Sequence, residues 1–393
     1  MTTVVLGAGA LGLTVALELT RRGVPVTVVE REPLPGGLAA GFEVEPGIWL
    51  EKFYHHIFRS DTRAIDLIRE LGLEDRLEWT TPVTATLRDG KLHQLDSPAS
   101  LLRFSPLPVA DRLRMGAALA ALKAMPDPRL LEGRTAIGWT RRWMGRRAAE
   151  VVWEPLLRGK FGDAAPEIAM PWFWARVHDR TQQLGYLRGG FQQLYDRLAE
   201  EIRRSGGETR FGTSVKAVRT VGDGFEVETD VGTEHFDRVI STLATRLTAQ
   251  LVPELPDSWR ERHEWGRAYG AHCLVLALDR PLTSAYWLNV NDPGFPFMAL
   301  VEHTNYMPAS DYGGRHLIYL GNYRPMDDPL MIASRDQILT DFLPHLARIN
   351  PDFEPEWVTE AWSVAAPFAQ PIVTTDYREH IPPFTTPISG LWT

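Results

Sequence analysis

The sequence predicts an α/β fold: a Rossmann-like nucleotide-binding domain on a parallel sheet, joined to a discontinuous α+β substrate domain. Three observations predict it. The chain opens with a buried-strand run, Val4-Val5-Leu6, that leads straight into the glycines Gly7, Gly9 and Gly12. A second aliphatic run, VPVTVVE, follows one helix later and ends on Glu30. Further on, Tyr186–Glu208 runs through a glycine pair into an amphipathic helix, and TRFGTSVKAVRT then reads as strands.

The opening stretch MTTVVLGAGALGLTVALEL resembles a secretory leader in its apolarity, but its charges are misplaced for one. The first basic residues, Arg21 and Arg22, follow the apolar run and Glu18 interrupts it, whereas a leader carries its basic residues in front. Strand, turn and helix is the better reading. Gly7 permits the tight turn, Gly9 lets backbone N–H groups approach a pyrophosphate, and Gly12 lets the following helix pack near the strand. That helix presents its partial positive end to the phosphates and stops at Gly23. Glu30 then occupies the place where a dinucleotide fold puts the carboxylate that binds the adenosine ribose hydroxyls, and an acid there disfavours a 2′-phosphate. An ordinary βαβ unit without nucleotide is the competing reading.

At 393 residues, with 44% hydrophobic and 23% charged residues, the chain is globular in composition and long enough for two domains. A net charge of −8 without a Lys/Arg stripe argues against a nucleic-acid partner. The single cysteine, Cys273, excludes an internal disulfide and a thiolate metal cluster, so no metal site is expected and a reducing cytoplasm fits. No apolar run is long enough to span a bilayer. Residues 108–125, apolar nearly all round from Met115 to Leu122, read either as a buried helix or as an apolar lid or interfacial helix, the one sign of peripheral membrane contact.

Beyond Glu30, REPLPGG places Gly36 and Gly37 shortly after the acid. With the first fingerprint, this pair resembles the extended motif of FAD-binding oxidoreductases, and most of the chain is similar to the superfamily of flavin amine oxidases, phytoene desaturases and protoporphyrinogen oxidases, to which UDP-galactopyranose mutase is similar in fold. Later stretches carry the likeness further. YLRGGFQQLYDRLAEEIRRSGGE has a glycine pair leading into an amphipathic helix closed by Gly206 and Gly207; GFEVETDVGTEHFDRVIST alternates around Asp230–Gly232 as a hairpin and ends at Ser241 and Thr242. The resemblance implies FAD as cofactor and a glutathione-reductase-type FAD domain formed by residues 1–85, 186–265 and 376–393, with a substrate domain formed by 86–185 and 266–375. It also implies the cofactor contacts Gly7, Gly9, Ala10, Leu11, Gly12, Glu30, Arg31, Gly36, Gly37, Leu38 and Val215, the last holding adenine through its backbone. The Gly-Gly pair continues as Leu38-Ala39, not as the arginine frequent among amine oxidases, so this position does not favour an amine substrate.

The segment EKFYHHIF is the most unusual local constellation. In the resembling family it passes the flavin ring, with a small residue ahead of a histidine; here Tyr54 takes that position, which implies a flavin-facing His56 and, as second candidate, His55. A histidine there can donate to flavin or substrate or act as acid or base. Neighbouring residues on a strand face opposite ways, so one of the two can instead be a packing group. A second cluster, Lys160-Phe161-Gly162 followed by Trp172, Trp174, Arg176, His178 and Arg180, suggests a pocket with apolar walls and guanidinium groups that grip a carboxylate or phosphate. Its substrate contacts are Tyr54, Lys160, Trp174, Arg176 and Arg180, unless Arg176 and Arg180 merely decorate a helix surface near Asp179. The substrate is then a small molecule, apolar or ring-shaped, with an anionic group.

The family pattern closes with a strand, a Gly-Asp turn and a helix aimed at the flavin, whereas Ile388–Thr393 matches the strand alone. Truncation of a longer chain is the expectation from that difference. Three functions remain: an FAD oxidoreductase desaturating or oxidising an apolar or ring-shaped substrate, a mutase-like non-redox flavoenzyme acting on a linked sugar, and a nucleotide-binding protein without catalysis.

Overall fold

The computed structural model describes residues 1–263 and 267–393, so the expected boundary between 265 and 266 lies outside the described residues. The strand Thr3–Leu6 is buried along its whole length, as its β-branched run requires, and pairs in parallel with Val26–Val29 on one side and Arg238–Ser241 on the other. Glu208–Arg210 extends the sheet beyond Val26–Val29, and Leu391–Trp392 extends it beyond Arg238–Ser241. The result is a parallel five-stranded sheet. Connections leave Thr3–Leu6 and Arg238–Ser241 toward opposite sides, so a crevice opens at their carboxyl ends, where open α/β sheets bind ligands.

The helix Ala10–Arg21 lies on this sheet and buries Leu13, Ala16 and Leu17 against Leu194, Leu198 and Ile202 of the helix Gln192–Arg204. A three-stranded antiparallel meander, Val215–Val221, Gly224–Thr229 and Thr233–Phe236, carries the expected hairpin at Asp230–Gly232. Facing the parallel sheet is a mixed seven-stranded sheet whose long members are Ala268–Leu278, His316–Arg324 and Val358–Pro371. One core joins the two sheets: Val5 and Val28 of the first belong to the same buried cluster as Cys273, Val275, Val301 and Tyr319 of the second. Helices between Pro98 and His178 gather around a separate core that includes Phe104, Met115, Phe161, Met170 and Trp174.

A helix forms over Arg335–Leu346, capped by Ser334, whose hydroxyl accepts from the Gln337 N–H at 3.3 Å. The segment 108–125 corrects its buried reading: the helix Val109–Ala124 buries only Met115 and Leu122, while Val109 and Leu113 stand exposed. Its alanines face solvent at no great cost, which is why the apolar run does not require a partner on every side. Among the described residues, no helix is long and apolar enough to cross a membrane.

Candidate active site

At the crevice, the glycine fingerprint has the geometry its spacing predicts. Gly7 turns the chain with φ +99°, and a Cβ on Gly12 would lie 2.0 Å from the Gly7 carbonyl oxygen, so only hydrogen fits between strand and helix. Gly9 differs: a Cβ there would meet nothing within 4 Å. The space in front of it adjoins the amino end of the Ala10–Arg21 helix, which carries no side-chain cap. Gly36, at φ +121°, donates its N–H to the Ala8 carbonyl at 2.8 Å and brings Gly37 against the Gly9 backbone, while Leu11 and Leu38 stand exposed beside the opening. The two Glu30 oxygens accept from the N–H groups of Ala8 and Glu32, both at 2.8 Å. Further lone pairs of that carboxylate remain for ribose hydroxyls. Among the described residues Arg31 pairs with Glu32, at 3.0 Å, and Val215 begins the meander just past Thr213, whose N–H donates to the Glu30 carbonyl at 2.8 Å.

The second part of the site is a small cavity of about 110 Å³ whose walls include Leu38, Phe53, Tyr54, His55, Cys273 and Tyr323. Tyr54 is fixed by edge contacts to Trp287 (4.9 Å) and Tyr319 (5.9 Å). It lies flat on Gly321, where a Cβ would come within 2.8 Å of its ring. The segment Tyr54–His56 is irregular, between the strands Ile48–Glu51 and Ile57–Phe58, and its two histidines part company. His55 faces the cavity with Nδ1 on the Phe53 carbonyl at 2.6 Å; His56 turns toward Tyr286, its Nδ1 3.2 Å from the hydroxyl.

Burial, aided by Arg180, His55 and Arg176, pulls His56 down to about 3. This corrects the acid–base expectation for His56: it is a neutral hydrogen-bonding group at physiological pH. His55 is likewise lowered by burial.

The basic cluster forms as expected in part. Lys160, near the end of the helix Glu154–Phe161, holds its amine 3.8 Å from the centre of the Tyr323 ring. Phe161 packs edge-on to Trp172 at 4.8 Å, and the Arg176 guanidinium lies 5.1 Å from that indole. Among the described residues, neither Lys160, Arg176 nor Arg180 forms an ion pair with a carboxylate, although arginines elsewhere in the chain are paired with Glu or Asp. Asp179 pairs with His178 at 2.9 Å instead, and the helix Met170–His178 ends before Arg180, so the two arginines do not share a helix, although both are exposed as the surface reading expects. Arg180 is exposed overall, and partial burial of its guanidinium followed by the nearby Arg176 charge brings it down to about 10.

Trp174 is the clear correction to the substrate contacts. It is buried in the helical core, stacked on His178 at 4.3 Å, and its indole N–H donates to the Met125 carbonyl at 3.0 Å. That bond ties two helices together and leaves the side chain no polar handle for a ligand.

Tyr286, Trp287 and Tyr323 were not legible as site residues in the sequence, because Trp287 and Tyr323 come from strands of the seven-stranded sheet, Tyr286 immediately precedes the strand Trp287–Val290, and none carries a local motif. Glu51 was also missed. Its buried carboxylate accepts from the Phe191 N–H at 2.6 Å and the Tyr186 hydroxyl at 2.8 Å, and its own carbonyl accepts from Tyr319 at 2.9 Å. It anchors the strand end from which Phe53–His56 depart.

A parallel sheet with a glycine-lined crevice, sharing one core with a mixed sheet that contributes to an aromatic-walled cavity, is the arrangement of a dinucleotide-binding α/β protein. The model of the flavin-containing amine oxidoreductase family matches residues 12–392, and the chain belongs to that family. Over 79 residues it is 37% identical to a 15-cis-phytoene desaturase of Synechococcus elongatus, a match spanning 20% of this chain and 17% of the desaturase. Among solved structures it is similar to a candidate protoporphyrinogen oxidase from Exiguobacterium sp. 255-15, with TM-score 0.75 and 20% identity over 95% of this chain and 88% of the other. It is also similar to reduced UDP-galactopyranose mutase, with TM-score 0.75 and 16% identity over 96% and 85%. At these identities the two structures speak for the fold. Family membership makes FAD the cofactor, and the open space before Gly9, the uncapped helix end and the Glu30 carboxylate are a donor and acceptor set that suits its ADP half.

Proposed function

We propose that the chain is an FAD-dependent oxidoreductase that oxidises or desaturates a small molecule combining an apolar or ring-shaped body with an anionic group. The observation that carries this reading is a cavity walled by Tyr54, Phe53 and Tyr323, with Lys160 over the Tyr323 ring, near Arg176 and Arg180, none of the three forming an ion pair with a carboxylate among the described residues. FAD, when bound, supplies the two-electron acceptor for a hydride. The chain's own residues do the rest. Tyr54 and Tyr323 form the apolar walls, Arg176 and Arg180 hold the anionic end, and neutral His55 and His56 offer hydrogen bonds without adding charge. Packing of the two sheets on one core keeps water away from the reacting carbon.

The arginine pair also suits a diphosphate, which favours a second reading: a non-redox flavoenzyme acting on a nucleotide- or lipid-linked sugar. Anaerobic addition of candidate substrates to the FAD-loaded protein separates the two. Bleaching of the flavin absorbance in the oxidised protein supports the oxidoreductase. Turnover that requires prior chemical reduction and leaves the flavin reduced supports the mutase-like reading. Failure to retain any FAD overturns both and leaves a protein without flavin catalysis.

A further inference from the structure

We propose that Tyr286, Tyr186 and Tyr312, each hydrogen-bonded to a proton acceptor and linked ring to ring, form a relay that carries one-electron oxidising equivalents from the cavity wall at Tyr54 to Tyr312, beneath the surface. The inference rests on residues of this chain alone and holds whichever reaction the cleft performs. Six of the ten tyrosines, Tyr54, Tyr186, Tyr286, Tyr306, Tyr312 and Tyr319, meet in the core that joins the two sheets, and all but Tyr54 are at most 7% exposed. Phenylalanine fills such a core without a hydroxyl to satisfy. The Tyr306 hydroxyl is buried with no hydrogen-bond partner among the described residues, a cost that packing alone does not repay.

The rings are in contact from end to end. Tyr54, in the cavity wall, meets Trp287 at 4.9 Å, and Trp287 meets His56 at 6.2 Å between ring centres. From the His56–Tyr286 pair the contacts run successively to Tyr306 (4.8 Å), Tyr186 (5.8 Å) and His303 (4.9 Å). His303 Nε2 is 2.6 Å from the hydroxyl of Tyr312, which is followed in the chain by the exposed Gly313 and Gly314. Tunnelling falls off exponentially with distance, so rings in contact pass an electron far faster than rings separated by aliphatic side chains.

The proton acceptors make the phenols oxidisable. Burial raises Tyr286 and Tyr312 above the usual phenol range, so both keep their protons, and a phenol that loses an electron becomes a strong acid that must shed its proton. Burial holds His56 and His303 near 3, so each imidazole is neutral and carries a bare nitrogen: Nδ1 of His56, 3.2 Å from the Tyr286 hydroxyl, and Nε2 of His303 at Tyr312. Tyr186 donates to Glu51 Oε2 at 2.8 Å.

The sequence of steps balances. A one-electron oxidant in the cleft, such as a peroxyl radical, takes the hydrogen atom of the Tyr54 hydroxyl and becomes a hydroperoxide. Tyr54 regains an electron from Trp287 and a proton from water. Tyr286 refills Trp287, its O–H bond breaking as the proton moves to His56. Tyr186 then refills Tyr286 across Tyr306, losing its proton to Glu51 while the first proton returns from His56. Tyr312 refills Tyr186 in the same way, its proton moving to His303. A soluble one-electron donor, such as a thiolate, reduces Tyr312, and the last proton returns. Oxidising equivalents thus leave the cavity before they reach Cys273 in the same wall.

Pulse radiolysis of the full chain with azide radicals, which oxidise accessible tryptophans, tests this without any flavin. The indolyl absorbance should give way to phenoxyl absorbance in a first-order process, at a rate independent of protein concentration and slower in D2O. The double variant Tyr286→Phe, Tyr312→Phe, which keeps both rings and deletes two oxygens, should lose most of the phenoxyl signal. Tyr269→Phe, in the separate helical core, should retain it. An undiminished phenoxyl signal in the double variant overturns the proposal, as does a wild-type rate unchanged in D2O. The D2O comparison uses the wild type alone, so it decides even if the double variant fails to fold by circular dichroism.

Discussion

Glu51 shows how one side chain couples the site to the fold. It is 1% exposed and burial raises its carboxyl from 4.5 to about 7, with the Phe191 and Tyr186 hydrogen bonds opposing the rise. The folded protein therefore holds a proton that the unfolded chain has released between about pH 4.5 and 7, and stability falls as pH rises through that window, then levels off. Converted directly, the shift is worth on the order of 3 kcal/mol. Glu302, buried and also raised to about 7, has the same sign, so the wild-type curve alone mixes the two. Glu51→Gln separates them. Its amide oxygen can still accept from Phe191, and denaturant titrations should show the variant losing stability at pH 5 yet gaining on the wild type by about 1–3 kcal/mol between pH 5 and 8. Parallel pH profiles for the two proteins would mean that Glu51 is already ionised in the fold.

The strand–turn–helix element at the amino end makes a different kind of prediction, because two of its glycines fail for different reasons. A side chain on Gly12 collides with the Gly7 carbonyl, so substitution there destroys the element. Gly9 has an extended backbone, φ −70° and ψ 178°, that a β-branched residue adopts readily, and open space where its side chain would point. Gly9→Val should therefore fold with a thermal midpoint close to that of the cofactor-free wild type, while losing FAD at purification and failing to take it up. Normal flavin content in the variant would remove the fingerprint from the cofactor site. At the opposite wall, the strand Val358–Pro371 bulges away from Ala268–Leu278 between Ala366 and Gln370, with Phe368 in the left-handed region at φ +54°. The bulge carries Ala369 into the cavity lining, so an irregularity of the strand shapes the site.

Across the whole molecule, what the sequence revealed follows the range of the interactions. The fingerprint glycines, Glu30 and the hairpin at Asp230–Gly232 depend on neighbours a few residues away and were readable from spacing. The partner of His56 is Tyr286, 230 positions along the chain, and nothing in the local pattern around either residue announces the other. Trp174 looked like a pocket wall because a tryptophan reads the same in a core as in a cleft; only its bond to the Met125 carbonyl decides. The same long range governs folding. Thr3–Leu6 draws one neighbour from residues 26–29 and the other from 238–241, and its helix is covered by residues 192–204. A fragment of residues 1–85 keeps the fingerprint but loses the cover over Val4, Leu6, Leu13 and Leu17, each worth about 1.5–3 kcal/mol when fully buried. That loss rivals the roughly 5–15 kcal/mol by which a whole domain is stable. The fragment should show no cooperative melt by circular dichroism and no FAD retention, despite containing every fingerprint glycine and Glu30. A sharp melting transition would show instead that the strand and helix stabilise each other locally, and that the long-range strands add to a nucleus already formed.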